Sequence, residues 1–256
     1  MNEQLPQLTD LAQFLEGEFQ ASRYPKNEQG GIYTPSDRAI HRLGVTLEPE
    51  ADTGNWVRSN RLDALWMHRP WQLDLKSLPV DVGVVTHHLP FDESLTMGYN
   101  RPLATTLGLL SLDELGYKQQ ADESGILLPK RAIGMIGNVP ERTHDEWINL
   151  INAQFRGYDR VEAGANRSYK RVAVVGAMTD TLIREAHAHG VELYLTGAYR
   201  KAAQSAIAET GMSVMAIGHQ RTEEWGLRAL GNRVQERWPA LEVVLVNRSL
   251  PSCLPY

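Results

Sequence analysis

Val172-Ala173-Val174-Val175-Gly176 is followed by a helically spaced stretch from Thr179 to His189 closed by Gly190, then by Val191-Glu192-Leu193-Tyr194-Leu195-Thr196. A second helical stretch, Ala198 to Thr210 closed by Gly211, leads to Met212-Ser213-Val214-Met215-Ala216-Ile217. Three short apolar runs separated by two amphipathic segments predict parallel strands joined by crossover helices. Runs this apolar are covered on both faces, because a half-exposed strand alternates polar and apolar residues.

The same alternation extends in both directions. Leu62 to Met67 and Val80 to Thr86 upstream, and Leu241 to Val246 downstream, read as further strands. Helices are expected at Pro102 to Leu110 and at Glu223 to Arg237, the latter opened by Thr222. Leu8, Leu11, Leu15 and Phe19 recur at helical spacing near the start. Ala21 to Asn60, rich in Gly, Pro, Asn and Glu, is expected to be loop with one strand at most. Pro129, Gly134 and Gly137 mark the expected seam between two lobes, residues 1–128 and 129–256. The fold class is α/β, with mostly parallel sheets.

Composition bounds the function. The 256 residues carry 26 Lys+Arg against 31 Asp+Glu, a net charge of −5, so no global positive field draws the chain to nucleic acid or an anionic membrane. The single cysteine, Cys253, excludes an intrachain disulfide and a cysteine-based zinc cluster. Any metal must therefore be held by His and carboxylates. The first residues have neither a basic nor an apolar leader pattern, and the chain reads as cytoplasmic, which leaves the sequons at Asn166 and Asn247 without meaning. P-loop, dinucleotide-fold, nucleophile-elbow and zincin motifs are absent from the sequence.

Four of the eight histidines, His68, His87, His88 and His219, fall within two residues of the carboxyl end of a predicted strand, where parallel α/β sheets open onto ligands. His88 has Asp92 four residues on, and His219 has Glu223. With 31 acids in 256 positions, eight histidines produce about one such pair by chance. The shared position after strands distinguishes these two. Val82 to Glu93 and Ser213 to Glu224 resemble weak copies of each other, which suits two related lobes each donating half of a mixed nitrogen–oxygen metal site. His87 is read as a loop histidine, and His41, His144, His187 and His189 as surface or helix-face residues. Trp66 and Trp71 flank His68 closely enough to wall a pocket, with core packing expected for at least one. Asp113-Glu114 and Asp122-Glu123 are expected in a solvated connection. The Val172 to Asp180 strand–turn–helix suits either phosphate at a helix N-terminus or simple tight turning.

At these residues the chain resembles the NIF-three-like family, whose members are often called type 2 GTP cyclohydrolase I homologues. Leu62-Asp63-Ala64-Leu65-Trp66-Met67-His68-Arg69-Pro70 is similar to the family's strand ending in His-His-Pro. His88-Leu89-Pro90-Phe91-Asp92 is similar to its His-Thr-Asn-Leu-Asp segment, with Gly98-Tyr99-Asn100 and Leu103 to Leu109 matching the motifs downstream of it. Leu195-Thr196-Gly197 and Gly218-His219-Gln220-Arg221-Thr222-Glu223 are similar to its Thr-Gly and Gly-His-x-x-x-Glu motifs. The resemblance implies two similar, intertwined α/β lobes with a metal site between them and a homohexameric ring. It also implies metal ligation by His68, Asp92, His219 and Glu223, with His88 in or next to that set, and one or two divalent ions (zinc, iron or manganese) per chain.

Arg69 stands where the family has its second histidine, and a guanidinium cannot ligate a cation. Either His87 or His88 substitutes, or Arg69 binds a substrate phosphate beside a single metal. The function this implies is a metal-dependent hydrolase of the GTP cyclohydrolase type 2 kind using metal-bound hydroxide. The alternative is a non-catalytic metal-binding ring, a scaffold or regulatory protein. A ring that clamps nucleic acid is disfavoured by the charge.

Overall fold

The computed structural model describes residues 5–246; Cys253 and Asn247 lie outside them. The chain divides into two compact units built from interleaved segments. One comprises Met1–Ala12, Ile32–Thr86 and Gly231–Tyr256, the other Gln13–Gly31 and His87–Leu230. Residues 128 and 129, the seam expected from sequence, fall in a strand connection inside the second unit.

The first unit carries β1 (Gly31–Thr34), β2 (Arg42–Thr46), β3 (Ala64–Met67), β4 (Gly83–Thr86) and β11 (Glu242–Leu245) in the order β1-β4-β3-β2-β11. From β4 to β11 every pairing is parallel, with Met67 opposite Thr86 and Leu43 opposite Ala64. The stretch 21–60 thus holds two strands and the helix α2 (Thr53–Asn60), more structure than the sequence predicted. Gly44 interrupts the apolar run of β2, which hid the strand, and packing requires it. A Cβ there would lie 2.5–2.7 Å from Leu62, Leu65 and Trp56 side-chain atoms. Leu65, Met67, Val82 and Val84 form the local core with Val57 and Leu62. Each such buried aliphatic side chain contributes about 1.5–3 kcal/mol. Val80, expected in a strand, is fully exposed ahead of β4.

The second unit holds β5 (Leu110–Lys118), β6 (Arg131–Thr143), β7 (Arg160–Glu162), β8 (Ser168–Val175), β9 (Leu193–Thr196) and β10 (Ser213–Ala216) in the order β5-β6-β8-β9-β10-β7. β8, β9 and β10 are parallel, and β5–β6, β6–β8 and β10–β7 are antiparallel. Asp113 and Glu114 therefore lie on a strand. Asp122 organises the β5–β6 turn, its Oδ1 accepting from the Ser124 and Ile126 amides. Gly134 and Gly137 are strand residues of β6.

Successive residues of the central strands serve opposite faces, as the period of two demands. Val172, Val174, Leu193, Leu195 and Met215 pack with Trp147, Ile151 and Phe155 of α5 (His144–Phe155). Ala173, Val175, Tyr194 and Val214 pack with Leu182, Ile183, Ala206 and Ile207 of α6 (Asp180–Ala188) and α7 (Gln204–Thr210). Burial on both faces is why these strands are apolar throughout. Thr179 caps α6 by accepting from the Leu182 amide. The remaining helices are α1 (Leu8–Glu18), α3 (Leu89–Leu95), α4 (Arg101–Leu107) and α8 (His219–Arg237), the last beginning three residues ahead of Thr222. No helix among the described residues is long and apolar enough to cross a membrane.

Candidate metal centre

His68 follows β3 directly and is completely buried. Its amide donates to the Thr46 carbonyl at 3.2 Å, and its own carbonyl accepts from the Thr86 hydroxyl at 3.2 Å, so the ends of β2, β3 and β4 are tied at one sheet edge. The Trp66 ring lies parallel to its imidazole, 9° between planes and 6.3 Å between centroids. Trp66 is buried, whereas Trp71 is 63% exposed. Arg69, next along, donates from Nε to Glu48 Oε1 at 2.7 Å.

β4 runs straight into His87 and His88. His87 is buried edge-on against Phe19, 5.1 Å between ring centroids, and burial pushes its pKa down to about 3. It is a neutral core imidazole. His88 occupies the N-cap position of α3, and Pro90 in the first turn suits a helix start. One turn on, Asp92 Oδ2 lies 3.7 Å from His88 Nε2.

The backbone beneath Asp92 is fixed by a chain of hydrogen bonds. The Thr96 hydroxyl donates to the Asp92 carbonyl at 2.6 Å, and Asn100 Nδ2 donates to the Thr96 carbonyl at 3.0 Å. Asn100 Oδ1 then accepts from the Leu103 amide at 3.0 Å, capping α4. On the neighbouring position Glu93 accepts from Arg131 Nε at 2.8 Å, and Arg131, 3% exposed, also covers the Tyr24 ring at 4.1 Å. Burial, with the Glu93 carboxylate beside it, raises the Tyr24 hydroxyl pKa. Asn100 belongs to a motif quoted from the sequence, but its capping role was not legible there. Nothing in the sequence marked Glu93 and Arg131, which are 38 residues apart.

On α8 the other pair repeats the spacing, His219 Nε2 lying 3.1 Å from Glu223 Oε1. Glu223 is buried, while the His219 side chain is 66% exposed. Gly218 turns the chain into this helix at φ +110°, where a Cβ would strike the Arg221 and Asp159 side chains. The Thr222 hydroxyl donates to the His219 carbonyl at 2.7 Å.

Among the described residues, His68, His88 and Asp92 make up one group that could hold a metal ion; His219 and Glu223 pair with each other and are not members of it. Two imidazoles and a carboxylate are the donor set of zinc, iron and manganese sites, so the residues present fit a divalent ion.

The class is an α/β fold in which His68 directly follows β3 and His88 and Asp92 follow β4, the carboxylate in the first turn of α3. The chain belongs to the Duf34/NIF3 (NGG1p interacting factor 3) family, whose model matches residues 6–251. It is 29% identical over 217 residues, 85% of this chain and 77% of the other, to a protein of Neisseria meningitidis serogroup B named GTP cyclohydrolase 1 type 2 homolog. Its fold matches the solved structure of protein ybgI with a TM-score of 0.72 at 19% identity, covering 96% of this chain and 100% of that one. TTHA1606 from Thermus thermophilus matches with a TM-score of 0.70 at 18% identity, over 95% and 98% of the two chains.

Proposed function

We propose that this protein is a metal-dependent hydrolase of the GTP cyclohydrolase type 2 kind, with His68, His88 and Asp92 as metal ligands and His219 and Glu223 as further ligands. The observation that carries this reading is the group of two imidazoles and one carboxylate at the end of β3 and the continuation of β4. A divalent ion bound there supplies Lewis acidity, lowering the pKa of water toward about 7.

The chain's own residues supply position. His68 is packed against Trp66, and Asp92 rides on a helix turn tied down through Thr96 and Asn100. Arg69, held by Glu48, stays outside the ligand set and offers a fixed cation to an anionic substrate oxygen. The name shared by the relatives supports a purine nucleotide as substrate. A homohexameric ring in the cytoplasm is part of the same reading, and mass photometry tests the ring.

Protein loaded with Zn²⁺, Fe²⁺ or Mn²⁺ is expected to open the purine ring of GTP, and both EDTA treatment and His88→Ala are expected to abolish turnover. Turnover indifferent to both would refute the hydrolase reading. Metal uptake without turnover would leave a non-catalytic scaffold.

A further inference from the structure

In the first unit, a cavity of about 320 Å³ opens where β2 and β11 end and α2 begins. Its position is where ligands enter parallel α/β sheets, outside the carboxyl ends of the strands, and its volume is that of a small-molecule site. Three features of its lining define a ligand.

First, Glu48, Glu50 and Asp52 contribute carboxylates, and the lining contains no Lys or Arg. Asp52 precedes α2 as its N-cap, yet its side chain makes no capping hydrogen bond. Second, Trp56 forms an aromatic wall, and its Cη2 is seated over Gly44, where a Cβ would approach to 2.7 Å. The indole is thus held from behind by the sheet. Third, the lining carboxylate of Glu48 already accepts a planar N–H donor, Arg69 Nε, at 2.7 Å. A planar N–H donor on this carboxylate is therefore a geometry the rim accepts.

We propose that this cavity binds a flat organic cation, an amidinium, guanidinium or protonated aminoheterocycle, with its ring against Trp56 and its N–H edge on the carboxylates of Asp52 and Glu50. Carboxylates favour charge-assisted, paired N–H donors, and an indole face attracts a cation. Neutral or anionic analogues of the same shape lack both terms.

The test uses the full chain, treated with EDTA so that its outcome is independent of the metal reading. Benzamidine, benzamide and benzoate are titrated while the indole N–H resonances are followed by NMR, Trp56 being assigned from Trp56→Phe. Benzamidine is expected to move the Trp56 resonance and to bind at least about tenfold more tightly than benzamide or benzoate, as expected for a charge-assisted contact. Asp52→Asn, at an exposed position, is expected to weaken benzamidine by about fivefold or more; Glu50→Gln provides the second variant. Equal binding of benzamidine and benzamide, a Trp56 resonance that does not move, or benzamidine binding unchanged in both carboxylate variants would overturn the proposal.

Discussion

Asn100→Ala tests the hydrogen-bonded support beneath the candidate metal centre. Asn100 is completely buried and acts at both ends of its amide: Oδ1 accepts from Leu103 N–H and Nδ2 donates to the Thr96 carbonyl, each at 3.0 Å. Alanine removes a helix cap, which costs about 1 kcal/mol. It also leaves the buried Thr96 carbonyl without this partner, at about 1–3 kcal/mol. The expected loss is about 3 kcal/mol, which for a chain of this size lowers Tm by roughly 6–12 °C. Asn100→Ser keeps a capping oxygen but cannot span to Thr96, so its loss is expected to fall between alanine and wild type. Chemical denaturation followed by circular dichroism measures all three. An Asn100→Ala protein within about 0.5 kcal/mol of wild type, the range of an ordinary surface change, would refute the reasoning, as would a serine variant weaker than alanine.

Two further predictions follow from charge. Arg131→Met leaves Glu93 of α3, 10% exposed, to Lys118 at 3.5 Å and removes the cation over Tyr24 together with the donors to the Arg23 carbonyl and Gln120 Oε1; a loss of about 2–3 kcal/mol is expected, with Arg131→Lys intermediate in the same denaturation assay. On α5, the Thr143 amide and hydroxyl donate to the Glu146 carboxylate at 2.7 and 2.9 Å, and the backbone hydrogen bond is the main cause that lowers its pKa from 4.5. A depressed acid contributes stability that is fully present above the unfolded pKa and lost as pH falls through the folded one. The stability difference between wild type and Glu146→Gln is therefore expected to be constant above about pH 5 and to shrink below the unfolded pKa near 4.5; a difference that grows on acidification would contradict it.

The parallel strands and their crossover helices were legible because burial on both faces forces uninterrupted apolar runs, as in Val172 to Val175 and Leu193 to Leu195. β2 was hidden by Gly44, a residue poor in strand propensity but demanded by the side chains crossing it. β5 and β6 were hidden for a different reason. They are long antiparallel strands with exposed positions, and acids such as Asp113 and Glu114 read as solvated loop. His68, His88 and Asp92 stood out because strand ends and i,i+4 spacing are local features. The Glu93–Arg131 pair and the Thr96–Asn100 tie depend on tertiary folding, which residue spacing does not encode. The hidden helix α5 begins with a capping box, Thr143 and Glu146, a local signal available in the sequence.

Titration of metal-free protein with Zn²⁺, Fe²⁺ or Mn²⁺, alongside His68→Ala, His88→Ala and Asp92→Asn, tests the central claim most directly. Wild type is expected to take up about one equivalent per chain or more, and each variant to bind at least about tenfold more weakly, as loss of a ligand or its support demands. Uptake of the same stoichiometry and affinity in all four proteins would contradict the assignment of these three side chains to a metal.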